Sequence, residues 1–450
     1  MHLTRRYFLK ASGAVAVYLG VAPTLALARA ASGSGLLMAD GTPAPGSVPP
    51  PPQSVKKGKV LVVIFLRGGA DGLNLVVPFG DSAYYDLRRS IAIPKPGAGD
   101  NTAIDLDGFF GLNPRMKELM PHFRSGLAVA AHAVGYDKNT RSHFEEQDTW
   151  ETGIIGNTLN SDGWLNRHLL TSSGHGPLRA VSIGDSLPRI LHGRAQAFAV
   201  RGLDDLSIPS GKASQDAVTA ALEHAYCCGP DKRAKDAVDA RDLLNQSATA
   251  TLDGMKQLRA MAQEKYEPAA TYPNTGLAKK LAQVARLIKA DVGLEVAEVD
   301  INGFDTHAYQ GNAVGALGNL AGELAGAMDA FARDLGDRMD DTVVVTLTDF
   351  GRTAAENGTQ GTDHGWGNCM FLMGGAVQRA NKAAESAGKA RKVAGTWPGL
   401  KPDQLHQRRD LLNTTDFRDV LGELVSVHLG NTALKDVLPS HTFKPVGLVV

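Results

Sequence analysis

Five side chains that can bind a metal ion follow hydrophobic runs in this chain: Asp71, Asp305, His307, Asp349 and His364. Asp71 lies in Arg67-Gly-Gly-Ala-Asp-Gly-Leu-Asn74, and Asp305 and His307 lie in Gly303-Phe-Asp-Thr-His307. Asp349 belongs to Thr348-Asp-Phe-Gly-Arg352, and His364 to Gly361-Thr-Asp-His-Gly365. Carboxylate combined with imidazole suits zinc, manganese or iron, whereas calcium prefers oxygen alone. One or two such divalent ions would lower the pKa of a bound water or hydroxyl and neutralise an anionic substrate. Ser142, in Thr140-Arg-Ser-His-Phe-Glu-Glu-Gln-Asp148, is placed to open a helix, where unpaired N–H groups and the dipole favour an anion. Beside a metal it is a candidate nucleophile or phosphate contact. Arg352 is the candidate for paired contacts to substrate oxygens, with Arg141 second to it.

Each of these residues also has a plain structural role to set against the chemical one. Ser142 with Glu145 spells a helix capping box. Asp71 among glycines suits a turn, and Asp349 after a strand suits a cap. Asp363 competes with Asp349 as a ligand. His132 sits inside an apolar run and reads as core, and His122, His168, His192, His224 and His406 form no constellation.

To bring such distant residues together, the elements before them must end at one edge. Val60–Leu66 is continuously apolar and β-branched, as a strand buried on both faces requires. Further strands are expected at 127–133, 178–183, 197–200, 294–301 and 342–347. Helices are expected at 214–226, 232–265, 276–292, 312–336 and 416–429. Strands alternating with helices indicate an α/β fold with a mainly parallel sheet, and ligands of such sheets bind beyond the carboxyl ends of the strands.

The first 30 residues carry a paired arginine, Arg5-Arg6, then Phe8-Leu9-Lys10, an apolar stretch to Ala28, and small residues suited to cleavage after Ala28 or Ala30. This pattern is that of a twin-arginine export signal, so the twin-arginine translocation machinery is an expected partner and the periplasm or another exported location is expected. The stretch is short, rich in Ala and Gly, and broken by Pro23, which argues against a stable membrane span. Residues 31–58 are a Pro/Gly/Ser-rich linker, and 59–450 form the folded domain. The chain has 47 basic and 47 acidic residues; without the signal's four basic residues its net charge is −4. No electrostatic case for nucleic acid follows. Three cysteines are too few for a disulfide framework or an iron–sulfur centre, and no Gly-x-Gly-x-x-Gly follows a strand, so a redox role is set aside.

Together, Leu66-Arg-Gly-Gly-Ala-Asp-Gly-Leu-Asn74, Arg141-Ser-His-Phe-Glu-Glu-Gln-Asp148 and the three motifs around Asp305, Asp349 and His364 resemble an exported bacterial family, domain of unknown function 1501. Thr415-Asp-Phe-Arg418 fits as well, and the resemblance covers about residues 58–450. That family is similar to a distant branch of the alkaline phosphatase and sulfatase superfamily. The resemblance implies a three-layer α/β/α sandwich and an exported metal-dependent hydrolase of a small anionic phosphate or sulfate ester. By order in the chain it implies Asp71, Asp305, His307, Asp349 and His364 as ligands and Ser142 in the nucleophile region. Phe350 departs from it, standing where many members have the second residue of Asp-His. The two-residue spacing of Asp305 and His307 departs from Asp-x-x-x-His. These departures leave open a one-metal site or an inactive relative, a catalytically silent binding or assembly protein of the cell envelope. The formylglycine signature Cys-x-Pro-x-Arg is absent, since Cys369 precedes Met370-Phe-Leu-Met373.

Overall fold

The structure, a computed structural model, describes residues 58–156, 161–174, 176–203, 240–389 and 391–450. The arginine pair, the signal, all but the end of the linker, the helix expected at 214–226, and Cys227 and Cys228 lie outside the described residues.

The main sheet contains β1 (Val60–Leu66), β2 (Ala128–Gly135), β3 (Ala180–Ile183), β4 (Phe198–Val200), β5 (Val296–Ile301), β6 (Thr342–Thr348), β7 (Asn368–Gly374), β8 (Val393–Ala394) and β9 (Thr415–Asp416). Its order is β8-β2-β7-β6-β1-β5-β3-β4, with β9 also paired to β2. β1 lies centrally, parallel to β5 and β6. Only β7 runs antiparallel to its neighbours β2 and β6. The expected strands are present, with ends shifted by up to two residues. β7 is an addition: Asn368-Cys-Met-Phe-Leu-Met-Gly374 has no β-branched residue to mark it as a strand.

β1 alternates between two cores, as a doubly covered strand must. Val60, Val62, Ile64 and Leu66 face one, and Leu61, Val63 and Phe65 face the other. At about 1.5–3 kcal/mol for each large apolar side chain withdrawn from water, this strand anchors both layers. The first core is closed by α4 (Gly276–Lys289) and α5 (Ala316–Leu335), which bury Leu281, Val284, Leu324, Met328 and Phe331 at helical spacing. The second is closed by α1 (His143–Thr152), α2 (Trp164–Thr171) and α7 (Phe417–Glu423), where Trp150 stacks on Phe417 at 4.2 Å. The result is a three-layer α/β/α sandwich with a mainly parallel central sheet. α3 (Ala240–Gln263) and α6 (Gly375–Ser386) complete the longer helices. α3 ends two residues before the 265 expected, and residues 232–239 of that expected helix lie outside the described residues. The final helix, expected to run to 429, passes at Leu424 into a π-helical turn ending at His428. Among the described residues no helix is long and apolar enough to cross a membrane.

Candidate metal centre

The parallel strands β1, β5 and β6 deliver their following loops to one edge of the sheet, with the start of α1 beside them. After β1, Gly68 and Gly69 take φ of 112° and 71°, which glycine adopts without strain. A Cβ on Gly68 would stand 2.6 Å from the Asp305 nitrogen, and one on Gly69 would stand 2.6 Å from the Phe350 ring. The bare backbone lets the three loops close on one another.

At that edge three imidazoles surround one carboxylate oxygen. Asp305 Oδ1 lies 3.0 Å from His307 Nε2, 3.3 Å from His364 Nε2 and 3.4 Å from His143 Nε2. His143, Asp305 and His364 present ligand atoms all within 4.8 Å of one another. His307 joins them, its Nε2 lying 2.9 Å from His364 Nε2.

The far nitrogen of each ring is held by an oxygen. His143 Nδ1 meets Asp349 Oδ2 at 2.7 Å, His307 Nδ1 meets Asp363 Oδ1 at 3.1 Å, and His364 Nδ1 meets the Arg141 carbonyl at 2.8 Å. A carbonyl or an ionised carboxylate only accepts, so each Nδ1 donates. In the neutral rings every Nε2 then carries a lone pair, and the three lone pairs share one small space. Two of them 2.9 Å apart repel unless a proton or a metal ion lies between. His143 Nε2 is buried without a hydrogen-bond partner. Inward-facing nitrogens on rings whose outer nitrogens donate to oxygens are the arrangement of metal-bound histidines. The residues therefore fit a divalent ion held by His143, Asp305, His307 and His364.

The electrostatics agree. Burial acts to raise the Asp305 carboxyl, but the hydrogen bond and charge of Arg352, then His307 and His143, overcome it and hold the group below its usual range. Burial, with help from the charges of His143 and Arg352, holds His364 below the usual imidazole range despite the opposing bond to Arg141. Both shifts favour the ligating forms.

The expected residues divide into three groups. Asp305, His307 and His364 come together as ligand candidates. Asp349 does not face the centre: it is fully buried, Oδ1 accepts from Gly68 and Gly69 N–H, and Oδ2 accepts from His143 and Gln147. Its place is behind His143, as that of Asp363 is behind His307. Asp71 is turned to Arg88, 2.6 Å away, and to Gln310, also at 2.6 Å, in a buried ion pair rather than among the imidazoles.

Ser142 precedes α1 as expected, but its side chain makes no capping bond, so the capping box with Glu145 does not form. Glu146 instead accepts from the Thr140 backbone and from Tyr136. Arg352 is fully buried and donates to the carbonyls of Gly68, Gly69, Phe304 and Thr362 as well as to Asp305 Oδ1 at 2.6 Å. Buried and with all three of its nitrogens bonded to the protein, it positions Asp305 rather than gripping a substrate. Arg141 is likewise tied, to Asp410 and Gln407. Its φ of 60° turns the backbone so that its carbonyl meets His364. His132 is core as expected, bonded to the Val76 carbonyl, with burial pushing its pKa down to about 4.

His143 is the functional candidate that the sequence reading passed over. It stands in the same motif as Ser142, one residue on, and Gln147 one turn later supports the same carboxylate. Phe350 packs against the rings of both His143 and His364, with centroids 4.8 and 4.6 Å away, as an apolar wall beside the centre.

The class is thus an α/β/α sandwich with a histidine-rich centre beyond the carboxyl ends of its central strands. The family model described as "Protein of unknown function (DUF1501)" matches residues 58–437, and the chain belongs to that family. No curated protein matches. Among solved structures, a PsFucS1 sulfatase from Pseudoalteromonas sp. is similar at 11% identity and TM-score 0.31, over 72% of this chain and 63% of the sulfatase. The PH0037 protein from Pyrococcus horikoshii is similar at 15% identity and TM-score 0.18, over 71% of this chain and 88% of that one. The match thus spans less than two thirds of the sulfatase's length.

Proposed function

We propose that this protein is an exported hydrolase of phosphate or sulfate esters, working with one divalent metal ion held by His143, Asp305, His307 and His364. The observation that carries this reading is the convergence of three oxygen-backed imidazoles on Asp305. An ion there would supply Lewis acidity and a hydroxide nucleophile near neutral pH. The protein's part is to turn each Nε2 inward by holding Nδ1 on an oxygen, and to keep Asp305 charged. Three neutral imidazoles and one carboxylate would leave a divalent site one positive charge, which favours an anionic ester. Phe350 keeps one wall apolar and water-poor. Ser142, at the start of α1, has a hydroxyl free of capping duty and is the chain's own candidate for orienting the ester oxygens.

One ion suits the residues better than two, since Asp71 is engaged by Arg88 and Phe350 offers no ligand. The same two residues favour the second reading, a silent binding or assembly protein on this scaffold. Elemental analysis of purified protein, joined to assays with aryl phosphate and aryl sulfate esters, separates the two. About one equivalent of zinc, manganese or iron, lost together with turnover in His364→Ala, supports the hydrolase. A metal-free, folded protein that takes up no added ion overturns it. Export is tested by fractionating cells that carry Arg5→Lys with Arg6→Lys, which should keep the protein in the cytoplasm.

A further inference from the structure

A cleft of about 680 Å³ runs beside α1, lined among others by Phe144, Gln147, Glu151, Ser182, Glu298 and Asn302. It begins one residue past His143 and is joined to it by hydrogen bonds. Gln147 donates to Asp349 behind His143 and accepts from Arg67 at 3.4 Å. Arg67 in turn pairs with Glu151 and lies 3.8 Å from Glu298 Oε1. Phe144 and Asn302 of its lining stand one residue from His143 and three from Asp305 in the chain, which sets the cleft next to the centre.

The lining says what kind of group fits there. Charges are present but matched: Lys280 with Asp300, Arg201 with Asp185, Arg189 with Asp148, and Arg67 with Glu151. The remaining acid, Glu298, is buried at 2% exposure; Oε2 accepts from Ser182 Oγ, and Oε1 has no hydrogen-bond partner. Burial raises its pKa to about 8, against the opposing charge of Arg67, so at neutral pH the cleft has no surplus charge to select an ion. It does have unsatisfied hydrogen-bonding capacity, which is costly unless a ligand meets it. Phe144 at its edge is 90% exposed, an apolar face beside the polar wall.

We infer that the cleft is a subsite for a neutral, polyhydroxylated ring, so that the ester acted on is borne by a sugar whose hydroxyls meet Glu298, Ser182 and Asn302 while one ring face lies on Phe144. This rests on the hydrolase reading for the word ester, but not for the binding. Neutral rings offer paired donors and acceptors without net charge, as this lining requires, and aromatic faces cover the carbon-bound side of such rings.

The test is saturation-transfer NMR with methyl glycosides of neutral hexoses and deoxyhexoses, against methyl glucuronide as the charged comparator. Wild type and His364→Ala should bind the neutral glycosides equally, since the subsite does not need the metal. The exposed double variant Phe144→Ala with Asn302→Ala, its fold checked by circular dichroism, should bind at least about tenfold more weakly, equivalent to 1.4 kcal/mol. Failure of every neutral glycoside to bind wild type, preference for the glucuronide, or undiminished binding in the double variant each overturns the inference. Binding that persists in a protein without esterase turnover upholds the subsite while removing the hydrolase reading.

Discussion

His143 Nδ1 lies 2.7 Å from Asp349 Oδ2, and the opposite nitrogen of the same ring lies 3.4 Å from Asp305. One imidazole thus spans from a buried carboxylate, itself anchored by the Gly68 and Gly69 amides, to the proposed metal position. Asp349→Asn keeps the shape but replaces a full acceptor with an amide. It should weaken metal binding about 10- to 100-fold without unfolding the protein. Competition against a chromophoric chelator measures this, and unchanged affinity would detach Asp349 from the centre.

The division between ligand candidates and bystanders is sharp enough to test in one series. His143→Ala and His307→Ala should each lose the metal and keep most stability in its absence. Asp71→Ala should do the reverse. Leaving Arg88 buried without its partner should cost about 3–5 kcal/mol, with metal content per folded molecule unchanged. Urea titration beside elemental analysis reads both effects; metal loss in Asp71→Ala would return that residue to the site.

Arg352 joins the loops after β1 and β5 through backbone carbonyls and holds Asp305 in its charged form. A lysine cannot reach as many acceptors. Arg352→Lys should therefore destabilise the fold by about 2–4 kcal/mol, because carbonyls buried around the guanidinium lose their donors. The affinity for metal should fall as well. Equal stability of variant and wild type would show that the guanidinium does not tie these loops.

Glu298 gives the pH dependence a definite sign. Its folded pKa is raised by burial to about 8, above the ordinary carboxylate value, against the charge of Arg67 and with Asp300 and Glu151 adding to the rise. Between the unfolded and folded values the native state holds a proton that the unfolded chain has released. This group's contribution is therefore fully present below the unfolded pKa and is lost as pH rises towards about 8. The slope from one such group approaches 1.4 kcal/mol per pH unit. Chemical denaturation from pH 5 to 8 should show it in wild type and show it reduced in Glu298→Gln; identical slopes would count against a protonated Glu298.

The strand framework was readable because Val60–Leu66 and Thr342–Thr348 are β-branched runs with no other comfortable home. β7 escaped because Met, Phe and Leu serve helices and strands alike. Within the site, residue type and setting were enough to bring Asp305, His307 and His364 forward as candidates, and the folded loops place them together. They were not enough to tell which carboxylate faces the centre and which stands behind a ring, because that depends on burial and on contacts over hundreds of residues, as between Gly68 and Asp349. Asp71 had the right type and place, but Arg88, 17 residues on, claims it. His143 was hidden by its neighbour: Ser142 drew the chemical reading, while the ring beside it could be placed only once the loops were seen to meet.

The four ligand candidates come from three separate stretches of the chain, around His143, around Asp305 with His307, and around His364, and assemble only when β1, β5 and β6 have aligned. An unfolded chain therefore offers no comparable trap, and ion capture must follow folding. An ion held at the proposed centre would then be set by the metal pool of the compartment where the chain folds, wherever the protein later works.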